Sequence, residues 1–71
     1  MEIIERVFIH TANQRRYQFD NVEEGDLKAL IKTIEHGEGF LMGHCSTREM
    51  NVALNATQVV SIEWEAKEEA E

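Results

Sequence analysis

The sequence predicts an α+β fold, in which one helix packs on one face of an antiparallel sheet of four or five strands in the order β-β-α-β-β-β. Three observations lead there. Leu27, Leu30, Ile31 and Ile34 follow the i, i+3, i+4, i+7 spacing that puts apolar side chains on one helix stripe. The segments on either side are rich in β-branched and aromatic residues and alternate with period two. Strands that surround a single helix, rather than alternating with several, belong to α+β and not to a parallel α/β sheet.

Residues 3–11 read as the first strand, with Ile3, Glu5, Val7 and Ile9 on one face and Ile4, Arg6, Phe8 and His10 on the other. Residues 12–14 form a turn. Residues 15–20 return as a second strand with Tyr17 and Phe19 on the same face, completing a hairpin. The helix begins between Asn21 and Asp26, and Glu23, Glu24 and Asp26 complement the positive end of its dipole. It stops near His36, because Gly37 suits the left-handed residue that ends a helix. Residues 39–44 form a short apolar strand, and residues 45–48 a turn. Residues 49–54 alternate with Met50, Val52 and Leu54 together. After a loop at 55–58, residues 59–65 alternate with Val60, Ile62 and Trp64 inward and Ser61, Glu63 and Glu65 outward. The helix stripe is expected to cover the face carrying Tyr17, Phe19, Val60 and Ile62. The run from Val52 to Asn55, followed by Val59 to Glu63, resembles the closing hairpin of many small bacterial and phage proteins. That resemblance implies a hairpin and no activity.

One helix stripe covers one sheet face, yet Ile4, Phe8, Leu41 and Val59 fall opposite their apolar neighbours. Either some of these sit at sheet edges or under loops, or a second face packs against another chain. Small size points to the latter, since a domain near 60 residues buries only about 60% of its unfolded surface and gains from association. No proline guards any strand edge, and the first strand is the most apolar candidate edge for pairing.

The domain is expected over residues 1–66, and the charged run 67–71 as a solvated acidic tail; from Glu63 onward there are five Glu to one Lys. The balance of 7 Lys and Arg against 14 Asp and Glu, net −7, disfavours nucleic acid and anionic membranes as partners. No apolar run approaches a membrane span, and the N-terminus lacks the basic region and cleavage site of a secretion signal. A lone thiol, Cys45, fits a reducing cytosol, so the expected location is cytoplasmic.

Motifs for chemistry are sparse. His10, His36, His44 and Cys45 lack the paired spacing of a zinc module, and there is no phosphate-cradling glycine loop, so no cofactor or metal is expected. His44 beside Cys45 suggests a nucleophile pair, but reads more simply as the end of a strand beside a turn. Asp20 with Glu49 as an acid–base pair carries almost no information in so acidic a chain. Arg15, Arg16 and Arg48 stand out from the acidic background as loop arginines able to hold phosphate or carboxylate. Tyr17 and Phe19 beside them invite comparison with base-stacking pairs, though they share the face that the helix must cover.

The expected function is therefore a small, acidic, non-enzymatic protein-binding module of bacterial or phage type that pairs with itself and with one other chain. The first alternative is a nucleic-acid- or nucleotide-binding module using the three arginines. The second is an acidic inhibitor that mimics nucleic acid.

Overall fold

The computed structural model describes residues 3–65. The expected tail at 67–71 lies outside them. The chain runs β1 (Ile3–Thr11), β2 (Arg16–Glu23), α1 (Glu24–His36), β3 (Phe40–Cys45), β4 (Met50–Asn55), a 3-10 turn (Ala56–Gln58) and β5 (Val59–Trp64). The α+β class and element order are as the sequence predicts. The strands do not form one ladder, however. They divide into a three-stranded antiparallel sheet, β2-β1-β5, and a two-stranded one, β3-β4.

β1 lies in the middle of the larger sheet, which corrects its expected role as an open edge. Val7 and Ile9 are fully buried there and pair with Phe19 and Tyr17 on β2. The strict alternation expected along β1 breaks at Glu5 and Asn21, which drop out of the ladder. Asn21 adopts the left-handed conformation, φ 55°, which asparagine tolerates better than most residues. The chain thereby changes face, so that Val22 and its partner Ile4 rejoin the core. Ile4 is thus buried instead of belonging to a second face.

A β-bulge corrects the reading of β5. The register with β1 shifts between His10 and Thr11, so that Val59 and Ile62 pack on the core while Val60 is 69% exposed. An extra residue in one strand reverses which side chains face inward beyond it. Trp64, expected inward, is 45% exposed where β5 ends.

In α1 the predicted stripe is the packing face: Leu27 is buried, and Leu30, Ile31 and Ile34 rest on the core. Glu23 caps the helix without a side-chain bond, and Glu24 and Asp26 occupy its first turn. Gly37, at φ 75°, ends it in the left-handed form, its N–H reaching the carbonyls of Thr33 and Ile34 at 3.1 Å. The helix touches β1, β2, β3 and the 3-10 turn, so it closes both sheets over one core.

β3 and β4 pair with Leu41 opposite Leu54, and both are buried. Leu41 thus joins Ile4 and Val59 in the core, while Phe8 is half-buried on the outer face of the larger sheet. The resemblance to a closing hairpin is also corrected: β4 pairs with β3, and β5 with β1. The 3-10 turn carries the chain from one sheet to the other. Asn55 accepts the Thr57 N–H at 3.0 Å, and Ala56, buried, donates to the Gly39 carbonyl at 3.0 Å.

Candidate functional site

The two sheets meet at a single backbone bond, from the Ser46 N–H to the Gln18 carbonyl at 2.9 Å; among the described residues no other backbone bond joins β2 to β3. Beyond it the strands part and leave a groove of about 520 Å³. Leu30, Ala29 and Thr33 of α1 form one wall, Phe40 and Met42 stand on β3, and Asp20 and Asp26 are the acidic lining groups. Gly43 lets β3 lie close against the Phe19 ring. A Cβ there would lie 3.2 Å from the buried Phe19 ring, closer than packed side chains sit.

The second open feature is the outer edge of β4, which among the described residues has β3 as its only strand neighbour. Ala56 points its N–H at Gly39, and backbone groups alternate in direction along a strand. The N–H and C=O groups of Asn51 and Ala53 therefore face away from β3. The six residues of β4 include no charged side chain, no proline and no bulge. β3 likewise carries no Asp, Glu, Lys or Arg, and its outer face shows Phe40, 60% exposed, and Met42, 74% exposed.

The loop arginines are at one end of the larger sheet but on different sides of it. Arg16 stacks its guanidinium 5.1 Å from the Phe8 ring centre, and Arg48 stacks 4.7 Å from that of Tyr17. Arg16 and Tyr17 are consecutive strand residues and point to opposite faces, so Arg16 and Arg48 are kept apart by β2. Arg15 is exposed in the turn before β2, where its carbonyl accepts the Thr11 N–H at 3.0 Å. Tyr17 and Phe19 are buried in the core and offer no face for base stacking.

His44 and Cys45 are separated in the same way. His44 is exposed, its Nδ1 3.1 Å from the Asn51 side-chain oxygen, while Cys45 is buried beneath the sheet. Burial pushes the Cys45 thiol pKa up, but hydrogen bonds from the Thr47 hydroxyl and from backbone groups of Gln18, Arg48 and Thr47 outweigh it and lower the pKa from its ordinary value. Among the described residues no three His, Cys, Asp or Glu side chains gather to hold a metal ion. No helix there is long and apolar enough to cross a membrane.

No family model, no curated protein and no solved structure matches the chain. Sequence reasoning missed the groove and the β4 edge. The available signal was charge: 30% of the chain is Asp, Glu, Lys or Arg, yet none of these falls in residues 39–47 or 50–62.

Proposed function

We propose that this chain is a non-enzymatic protein-binding module of the cytosol that works through its open strand edges, and that it pairs with itself along β4. The observation that carries this reading is the β4 edge: six residues without charge, proline or bulge in a chain of net charge −7. Exposed edges are templates for pairing, and proteins that avoid pairing protect them with just those devices. The outer edge of β5 has such a device in the Val60 bulge; β4 has none.

Antiparallel pairing of β4 with its copy about a two-fold axis gives a four-stranded sheet, β3-β4-β4-β3, in which the same patch meets itself. The outer faces bearing Met42 and Ala53, neighbours in the β3–β4 register, then lie side by side. The acidic charge elsewhere on each subunit opposes the pairing, so added salt strengthens it by screening.

Sedimentation of the purified chain across micromolar concentrations tests the reading. The expected result is a dimer whose fraction grows with concentration and salt, and a monomer for the variant Asn51→Lys/Ala53→Lys, which places cations on the edge. A parent chain that stays monomeric throughout would sink the reading, as would a variant that dimerises as well as the parent.

A further inference from the structure

We propose that a small cavity between the two sheets binds a compact oxyanion, a carboxylate or a phosphate group. The inference does not rest on the self-pairing reading. The cavity, about 160 Å³, lies where the turn after β1, the end of β4 and the 3-10 turn meet beside Tyr17. At roughly 30 Å³ per water molecule it holds about five, which is room for phosphate or acetate and too little for a nucleoside.

Tyr17 is the first sign of a ligand. It is 9% exposed, yet its hydroxyl has no hydrogen-bond partner among the described residues, where a buried tyrosine normally finds one. No sealed side-chain nitrogen or oxygen goes unpaired among those residues. The hydroxyl therefore touches solvent, through the cavity that Tyr17 lines.

The groups left around it to meet a ligand are donors. Asn55 Oδ1 accepts both the Thr57 N–H, at 3.0 Å, and the Thr57 hydroxyl, at 2.9 Å. Its lone pairs are thus taken, and the amide has only N–H groups to offer. Asn13 Oδ1 accepts the Thr11 hydroxyl, which leaves the Asn13 N–H groups as well. Gln58 adds a third lining amide able to donate. Among the described residues no Asp or Glu lines the cavity, although the chain has 14 of them. Arg48 lays its guanidinium 4.7 Å from the centre of the Tyr17 ring and makes no ion pair among the described residues. Donors in excess beside an uncommitted cation suit an anion, to which their hydrogen bonds are charge-assisted. The net charge of −7 opposes this from a distance, but salt screens it beyond about 8 Å, so the local donors decide.

The test follows the side-chain amide NMR signals of the full chain as sodium phosphate, sodium acetate or, at matched ionic strength, sodium chloride is added. At least one oxyanion should shift the Asn13 and Asn55 signals saturably in the millimolar range, and chloride should not. Which of the two binds identifies the group as phosphate or carboxylate. Tyr17→Phe should weaken that binding about tenfold, the scale of a hydrogen bond to a charged group. The same variant should melt with the ligand-free parent, because the hydroxyl bonds nothing among the described residues. Asn55→Asp keeps an oxygen for Thr57 but exchanges the N–H donors for a carboxylate, and should abolish binding. No saturable shift with either oxyanion, the same shift with chloride, or either variant binding like the parent would each overturn the proposal. A lowered melt in Tyr17→Phe would overturn it too, by giving the hydroxyl to the fold.

Discussion

The two sheets of this molecule are built from similar strand sequences and end in opposite conditions. In β2-β1-β5 the central strand is covered on both edges, its inward residues Val7 and Ile9 are fully buried, and its outward residues include Glu5, Arg6 and His10. In β3-β4 only the inward row of Leu41, Cys45 and Leu54 is buried, and the outward row shows Phe40 and Met42 with no formal charge among them. Inward apolar residues build a core in either case. The difference is in the outward residues, which in one sheet suit water and in the other leave apolar side chains and strand edges bare. Burial is thus concentrated in the first sheet, and the open edge on which the proposed self-pairing rests belongs to the second.

Matched deletions should expose that division most sharply. Ile9→Ala removes a fully buried side chain and is expected to cost ~2–5 kcal/mol in a denaturant melt. Such a loss is a large part of the stability of so small a domain. Phe40→Ala and Met42→Ala in the same melt should change stability by less than about 0.5 kcal/mol, as exposed positions do. A large loss at Met42 would mean that the outer face of β3 is covered within the monomer.

The seam between the regions comes next. Gly43→Ala sets a Cβ 3.2 Å from the Phe19 ring, and overpacking of that kind costs ~1–3 kcal/mol. A melt unchanged from the parent would show that the ring has room to move and that the seam is loose. Smaller again is the effect on Cys45, whose thiol is fully buried where β3 meets β2. Its labelling by a thiol reagent should be limited by opening of the structure and should quicken in Gly43→Ala. Labelling at the rate of a free thiol would place Cys45 on the surface.

Much of the architecture was legible in the residues. The spacing of Leu27 to Ile34 and the stop at Gly37 defined the helix, because both depend on local geometry. Three features were not legible because each depends on the rest of the molecule. Nothing local in Asn21 announces that it takes φ 55° within β2 and so brings Val22 and Ile4 inward. The bulge at Val60 appears only when β5 is set beside β1. Asn55 to Gln58 suits a hairpin loop, and only the bond from Ala56 to Gly39 shows a turn that passes between sheets. The candidate site was harder still, since a groove is made by strands that fail to pair. The loop arginines drew notice by charge, whereas the edge that carries the proposed function is marked by its lack of it.

Hydrogen exchange at Asn51 and Ala53, measured at several protein concentrations, tests the central claim most directly. Their N–H groups point out of the sheet and have no backbone partner among the described residues. At concentrations where the chain is monomeric they should exchange almost as freely as in an unfolded chain, while Val7 and Ile9 in β1 stay protected. As concentration rises through the micromolar range, protection should appear at Asn51 and Ala53 together and leave β1 unchanged. If these two amides exchange equally fast at every concentration while the mass shows a dimer, the chain associates elsewhere and the β4 edge is not its binding surface.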